Sequence, residues 1–586
     1  MAGDGSAHPA AGAPTVGAGL PTPAARPGGA PIRGAAATGE PTRGAEPVGE
    51  LYAAVAETHT STILLLGHRV YKIKKPVKLP FVDLSTRALR LANCHREIEL
   101  NRRTAPDVYL GVGEFRQPLE VGRCEPSRAG AEPREARGAD EHATDEPVPG
   151  VAGAGEPGVG EAVLNDPGSG VAGAGEPVVV MRRMPAERSL SSLLKAGRND
   201  EAARCVDEVA ELIARFHSAL DAEEDYDLPG TMTSLWREGW EQTQRFAGDL
   251  LDRGALDETY ALAIEYLAGR RSMLTAREQA GLVREGHGDL LADDVYLLDD
   301  GPRVLDCLEF DRRLRLGDVL LDLAFLMMDL ELHGAPDLAR ALVGRYRQLG
   351  AGQHPRSLEH HYVAYRAWVR VKVECLRHES GDPGARERAA IALDLARSEA
   401  RAARVHLVAI GGLPGTGKST VARAIVERDE RDWALLSSDR IRKQLAGLDP
   451  TTEVTTPYST GIYDAVHTAA TYTEMARRAA TALKRGVSVI LDASWTDPSE
   501  RTTLARLAAD HHATLTQVRC DAPLDVCRAR ITARRSGPRV SDADHAVLHG
   551  MSQHAAPWPE ALTLDTTAPP QTAATQVLEA LDDGLV

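Results

Sequence analysis

Apolar positions along the chain follow three successive patterns. Residues 62–66 and 69–73 are short β-rich runs on either side of Gly67-His68, which predicts a hairpin. The continuous apolar run Val178-Val179-Val180-Met181 predicts a buried strand. From 200 to about 401 the spacing becomes helical, as in Val206, Val209, Leu212, Ile213 and Phe216. A third cadence begins at Val405: an apolar strand over 405–410, a glycine loop, a helix from Ser419, and an apolar strand over 488–491. That alternation predicts a parallel α/β sheet.

Two stretches have no such period. Residues 1–48 are mostly Ala, Gly and Pro and offer too little apolar surface to offset the entropy of ordering, so a disordered tail is expected. Residues 125–177 have the same character and repeat Gly-Val-Ala-Gly-Ala-Gly-Glu-Pro at 150–157 and 170–177. An octamer without a bulky core former is a low-complexity repeat and not a solenoid. Because an apolar strand follows at once, this tract is expected to decorate a loop between two strands of one sheet. At 586 residues the chain exceeds the ~250–300 at which single cores stop growing. The expected layout is a tail (1–48), a strand-rich lobe followed by a helical lobe (49–400, with the insert at 125–177), and an α/β domain (401–586).

Charge changes the picture little. The chain carries 68 basic and 84 acidic residues, net −16, but 125–177 alone holds eleven acids against three arginines, about half the excess. No broad phosphate-neutralising surface is present in the count, which argues against nucleic acid as a partner. The seven cysteines, at 94, 124, 205, 307, 375, 520 and 527, form no C-x-x-C pair and no zinc spacing, as suits a reduced cytoplasm. No basic leader precedes an apolar run, and no window reaches the ~18 apolar residues of a membrane span. A soluble, cytoplasmic protein without membrane contact is expected.

The most specific chemistry lies at Gly412-Leu413-Pro414-Gly415-Thr416-Gly417-Lys418-Ser419, after a strand and opening a helix. In that context the glycines let backbone N–H groups surround phosphate oxygens, aided by the helix N-terminus. Lys418 is expected to reach the β and γ phosphates of ATP, Ser419 to ligate Mg2+, and Thr420 to complete the binding set. Asp492 ends an apolar strand, where a carboxylate suits a place behind Mg2+ or beside an attacking water. In Ser438-Asp439-x-x-Arg442 the aspartate can take a hydroxyl proton and the arginine can hold an anionic acceptor; a helix N-cap with a solvated arginine is the alternative. Arg528, Arg530, Arg534 and Arg535 share one helical stretch, 527–535, and can stabilise phosphoryl-transfer charge, although at least two are expected on the surface. With these elements, and with Arg530 and Arg534 as its arginine pair, residues 405–586 resemble small P-loop kinases related to polynucleotide kinase, gluconate kinase and zeta-toxin-type enzymes. The resemblance implies Asp439 as the base.

Upstream, His287-Gly288-Asp289 precedes an apolar run, with Asp294 five residues on and Asp306 after the next apolar segment. One such aspartate can accept a hydroxyl proton while the other two hold Mg2+. A plain hairpin with acidic turns, such as Asp299-Asp300-Gly301, is the alternative. Residues 50–124 and 178–395 resemble the aminoglycoside phosphotransferase and choline kinase branch of the protein-kinase-like fold. That resemblance implies Asp289 as base, Asp306 as Mg2+ ligand, Lys72 on the ATP phosphates, Glu97 as its ion-pair partner, and 181–184 as the hinge beside adenine. Lys74 shares the strand face of Lys72, so spacing leaves the choice between them open. The family has asparagine where this chain has Asp294, and no G-x-G-x-x-G precedes Lys72.

The order of the two modules resembles bacterial fusions of an aminoglycoside phosphotransferase with an ATP-binding protein. The function expected is ATP-dependent phosphoryl transfer to a small-molecule hydroxyl by two nucleotide-using modules. A regulatory ATPase switch without an acceptor, and a nucleic-acid end kinase, are the alternatives.

Overall fold

A computed structural model describes residues 54–58, 60–79, 82–115, 175–350, 352–454, 460–534 and 541–583. The tail at 1–48 and the tract at 125–174 lie outside the described residues. The described chain forms two compact units that divide between Arg183 and Met184. The change of period near 400 falls inside the second unit.

The first unit contains β1 (Ala54–Glu57), β2 (Ser61–Leu66), β3 (Arg69–Lys74), the two-residue strands β4 (Lys78–Leu79) and β5 (Val82–Asp83), α1 (Arg87–Asn101), β6 (Tyr109–Phe115) and β7 (Glu176–Arg182). Its antiparallel sheet has the order β1-β2-β3-β7-β6. The predicted hairpin is β2–β3, and Gly67 at its tip has φ +52°, a conformation glycine adopts without penalty. The run at 178–181 is the middle of β7, which begins two residues earlier at Glu176 and lies between β3 and β6. Strands β6 and β7 are therefore sheet neighbours, and the acidic tract connects them in sequence. Thr86 caps α1 by accepting from Leu89 N, and Arg90 of that helix forms an ion pair with Glu176.

The second unit opens with α2 (Leu190–Lys195), α3 (Asn199–Ala219), α4 (Leu228–Thr243) and α5 (Arg253–Gln279). Four short strands follow, β8 (Val283–Glu285), β9 (Val295–Leu298), β10 (Gly301–Val304) and β11 (Leu316–Asp318), and then α6 (Val319–Leu332), α7 (Pro336–Gln348), α8 (Arg356–Glu379) and α9 (Ala385–Ala402). The helical period at 200–401 is thus interrupted where the acidic motif lies, with Asp299 and Asp300 in the β9–β10 turn as the hairpin reading required.

The chain continues through β12 (His406–Gly411), α10 (Lys418–Arg428), β13 (Trp433–Ser437), α11 (Ser438–Leu445), α12 (Ala465–Lys484), β14 (Ser488–Asp492), α13 (Pro498–Asp510), β15 (Thr514–Asp521), α14 (Leu524–Arg534), α15 (His545–His554), β16 (Leu562–Asp565) and α16 (Pro570–Asp583). The sheet is parallel throughout, in the order β13-β14-β12-β15-β16.

Both faces of this sheet are buried, which is why its central strands read as continuous apolar runs. Val408, Ile410 and Ile490 point to a core with Val421 and Ile425 of α10 and Ala574 and Val577 of α16. Leu407, Ala409, Val489 and Leu491 point the other way, into a core that includes Met475 and Leu483 of α12 and runs without a break into the helices of residues 190–403. Helices on both faces of a parallel sheet make this part doubly wound α/β, and the preceding parts α+β. No described helix is long and apolar enough to cross a membrane, and the six described cysteines are buried thiols outside any disulfide.

Polar contacts close the seam between the helices and the α/β part. Buried Arg270 of α5 donates from Nη1 to His511 O (2.6 Å) and His512 O (3.1 Å). Ser357 Oγ donates to Gly486 O at 2.7 Å, and Arg356 N donates to Asp432 Oδ2 at 2.7 Å. Gly486 has φ +78°, and a Cβ there would lie 2.6 Å from Ser357 Oγ and 2.9 Å from Pro355 Cγ. Gly486→Val is therefore expected to cost about 2–4 kcal/mol from left-handed strain plus overpacking. Urea unfolding monitored over both parts of the second unit should show a single shifted transition; two transitions with only the later part affected would contradict the shared core.

Candidate active sites

Strand β12 leads into a loop with Gly412, Gly415 and Gly417 at φ +134°, +85° and +94°. Space as well as backbone angle excludes side chains here: a Cβ on Gly412 would lie 2.4 Å from Cys520 O, and one on Gly415 2.7 Å from Cys527 O. Lys418 opens α10, and its Nζ donates to Leu413 O at 3.0 Å. Among the described residues the backbone N–H groups of Gly415, Gly417, Lys418 and Ser419 donate to no protein acceptor. Four unpaired amides beside an ammonium and a helix N-terminus fit a polyphosphate.

The loop is braced on both sides. Ser419 Oγ donates to Asp492 Oδ2 at 2.6 Å, from the end of the neighbouring parallel strand. Burial raises the pKa of Asp492, the charge of Lys418 and the Ser419 hydrogen bond oppose that rise, and Asp439 adds to it. Opposite, Thr566 Oγ1 bridges Thr416 O (2.5 Å) and Asp521 O (2.9 Å). Arg530 donates to Thr566 O (2.7 Å) and Gly415 O (3.3 Å), so its guanidinium lies against the loop backbone.

Asp439 occupies the first turn of α11, just past Ser437, which is in register with Asp492. Both carboxylates therefore stand at the C-terminal edge of the sheet, where open α/β sheets bind ligands. One turn on, buried Arg442 donates from Nη1 to Ile462 O and Thr468 Oγ1, each at 3.0 Å, and lies 5.0 Å from the Tyr463 ring centre. Its Nε is buried without an acceptor, which leaves the Nε–Nη2 edge of the guanidinium unspent. Tyr463 donates to Asp542 Oδ2 (2.8 Å), and Asp542 also pairs with buried Lys443 (3.0 Å). Burial first, then the charge of Asp439 and the Asp542 contact, pushes the Tyr463 phenol well above its usual range.

In the first unit, Lys72 and Lys74 project from one face of β3 onto the fully buried Glu97 of α1. Lys72 Nζ lies 2.9 Å from Oε1 and Lys74 Nζ 2.5 Å from Oε2. The pairing does not choose between the lysines, but exposure separates them: 13% of the Lys72 side chain is accessible and none of Lys74.

In the second unit three hydrogen bonds stitch the His287-Gly288-Asp289 segment to the Asp306 segment. His287 Nε2 meets Leu305 O at 3.1 Å, Leu308 N donates to His287 O at 3.2 Å, and Cys307 Sγ donates to the same carbonyl at 3.3 Å. Asp322 holds the segment from behind, accepting from His287 N and Gly288 N (both 2.8 Å) and meeting His217 Nε2 at 3.0 Å. Burial would raise the Asp322 pKa, but those partners hold it far below the usual carboxylate range. Asp294 is buried, and its carbonyl accepts from Leu305 N at 3.0 Å. Asp306 sits at φ +65°, a strained conformation for an aspartate. Burial raises the pKa of Asp289, Arg370 (Nη2 to Oδ1, 3.6 Å) opposes the rise, and Asp306 reinforces it. Among the described residues no three His, Cys, Asp or Glu side chains assemble a metal cage. Mg2+ at a phosphate needs only one or two carboxylates.

An uncharacterized protein of Mycobacterium tuberculosis (strain H37Rv) is 34% identical over 523 residues, covering 89% of this chain and 93% of the relative. The chain belongs to that family. A Mycobacterium bovis member matches equally well. Within the chain, residues 407–558 match the family described as an AAA domain. With the P-loop geometry, that match makes the chain an ATP-dependent enzyme of the kinase class, its P-loop domain in the last third of the sequence. Among solved structures, a choline/ethanolamine kinase family protein from Mesorhizobium loti is similar over 60% of this chain and 87% of its own (15% identity, TM-score 0.34). The Mycobacterium tuberculosis APS kinase CysC, in complex with AMPPNP and APS, is similar over 30% and 98% (21% identity, TM-score 0.25). Nothing about substrate follows from either.

The fold thus gathers Gly412 to Thr420, Asp492, Asp439 and Arg530 at one sheet edge, and Asp289, Asp294 and Asp306 along one hairpin. Arg528 is exposed, and the side chain of Arg534, like all of Arg535, lies outside the described residues. Thr566, Arg370 and the Tyr463–Asp542–Lys443 cluster carried no signal in the sequence, because each meets its partner only across a long stretch of chain. A raised carboxylate pKa means that ionising Asp492 opposes folding, a penalty absent below the ordinary unfolded-state pKa that grows as pH rises from there and is complete above the folded-state pKa. Asp492→Asn is accordingly expected to raise the melting temperature of the nucleotide-free chain at pH 7 while weakening Mg2+-dependent ATP binding ~10-fold or more. Calorimetry with and without Mg2+-ATP checks both effects.

Proposed function

We propose that the C-terminal site transfers the γ-phosphate of ATP to a hydroxyl of a small anionic acceptor. The observation that carries this reading is the set of four unpaired backbone amides around Lys418, with Ser419 seated on buried Asp492. Lys418 and the amides would hold the polyphosphate. Ser419, with Asp492 behind it, would hold Mg2+, which neutralises phosphate charge when bound. Asp439 takes the acceptor's proton, and the unspent Arg442 edge binds its anionic group in a bidentate fork. Arg530 keeps the loop in shape by occupying Gly415 O and Thr566 O.

For the second unit we propose phosphoryl transfer with Asp289 as base and Asp306 and Asp294 as Mg2+ ligands, and for the first unit that Lys72, oriented by Glu97, holds ATP phosphates. Lys74, fully buried on Glu97, orients that carboxylate from the other side.

Transfer of labelled γ-phosphate by the full chain tests the C-terminal reading. Asp439→Asn should lower transfer to the acceptor roughly 10²–10⁴-fold with ATP binding retained, and Lys418→Ala should remove ATP turnover at this site. Arg442→Gln should raise the acceptor KM at least ~10-fold while kcat changes less. Label that appears only as free phosphate across acceptors, equally in Asp439→Asn, would replace the kinase with a hydrolytic switch.

A further inference from the structure

Arg370 of α8 faces Asp289, and Arg366 lies one turn before it on the same helix. Arg370 is the nearer, at 3.6 Å, and 11% of its side chain is exposed. Among the described residues it makes no hydrogen bond, and that ion pair is its sole polar contact. Arg366 is buried, stacks 3.7 Å from the Phe325 ring centre, and spends one N–H on Leu321 O at 2.9 Å. Its remaining N–H groups have no acceptor among the described residues, and it lies within electrostatic reach of Asp289. A largely desolvated guanidinium with no hydrogen bond is costly, so such a pair persists where a ligand supplies the missing oxygens.

The acids nearby are already engaged or committed elsewhere. Asp322 is spent on His287 N, Gly288 N and His217, and Asp329 accepts from Ala292 N at 2.8 Å. Asp306, the other carboxylate beside Asp289, is assigned to Mg2+, so a cationic acceptor would meet two guanidinium groups there.

We propose that the kinase-like module phosphorylates a hydroxyl compound that carries a phosphate or carboxylate, bound by Arg370 and Arg366 beside Asp289. The proposal rests on Asp289 being the base of this module. The acceptor hydroxyl gives its proton to Asp289, its oxygen bonds to the γ-phosphorus, the bond from that phosphorus to the β–γ bridging oxygen breaks, and ADP leaves with the electron pair. Arg370 leaves its ion pair to receive the anionic group, and so releases the carboxylate for the proton.

The test uses the full chain carrying Lys418→Ala and Arg442→Gln, so that the C-terminal site is silent. Label transfer from ATP is measured to glycerol 3-phosphate and glycerate as anionic acceptors, glycerol as neutral, and choline and kanamycin as cationic. Transfer confined to anionic acceptors is expected. Arg370→Met should raise their KM roughly 10- to 100-fold with a smaller change in kcat, and Arg370→Lys should recover part of the loss. Binding of inorganic phosphate, followed by calorimetry, gives a readout independent of turnover. It should weaken in Arg370→Met and strengthen in Asp289→Asn, which frees the guanidinium; a purely structural arginine would give neither change. Transfer confined to neutral or cationic acceptors, or phosphate binding unmoved by both substitutions, overturns the anionic specificity while the kinase reading stands. If no acceptor is labelled, yet phosphate binding responds to both substitutions, the anion site holds and Asp289 is not a base. No labelling and no response overturn both.

Discussion

A carboxylate removed from water has to be met by a cation or by donors, and that requirement recurs at each place where this chain could handle phosphate. Glu97 is closed between Lys72 and Lys74, Asp492 lies beside Lys418 and Ser419, Asp542 is locked to Lys443, and Asp289 looks onto Arg370. These contacts differ in how complete they are. Glu97 and Asp542 are fully engaged and act as fixed posts. Asp492 and Asp289 are only partly compensated, and burial lifts the pKa of both. Incomplete compensation is a standing cost that a structure tolerates where a ligand will remove it.

The P-loop is held by contacts that do not involve phosphate. Its glycines allow the backbone to touch β15 and α14, Thr566 and Arg530 fasten it from one side, and Ser419 reaches Asp492 from the other. The amides left unpaired are therefore preorganised, and binding a polyphosphate need not bear the entropy of ordering the loop. Arg530, which the sequence offered as a charge for the transition state, lies in this fastening.

The second compact unit also changes what the last third of the chain is. One face of the parallel sheet shares its core with the helices of residues 190–403, and Arg270, Ser357 and Arg356 satisfy backbone and carboxylate groups across the seam. The change from helical to alternating period near residue 400 marks a change of architecture, and not a break in packing.

Strands β12 and β14, the hairpin at 61–74, the phosphate loop and the acidic hairpin were legible in the sequence, because each depends on neighbours within a few residues: a period of two or 3.6, a glycine that must turn, a charge at the end of an apolar run. Strands β1 and β6 were not legible, since Ala54–Glu57 and Tyr109–Phe115 lack a clear alternation and take their state from the strands beside them. The division at Arg183, the Thr566 and Arg530 braces, the spare edge of Arg442 and the arginines over Asp289 were decided by tertiary structure alone. Each depends on which distant groups arrive beside a desolvated charge or an unpaired amide. Burial and pairing are properties of that arrangement, so no local pattern can encode them.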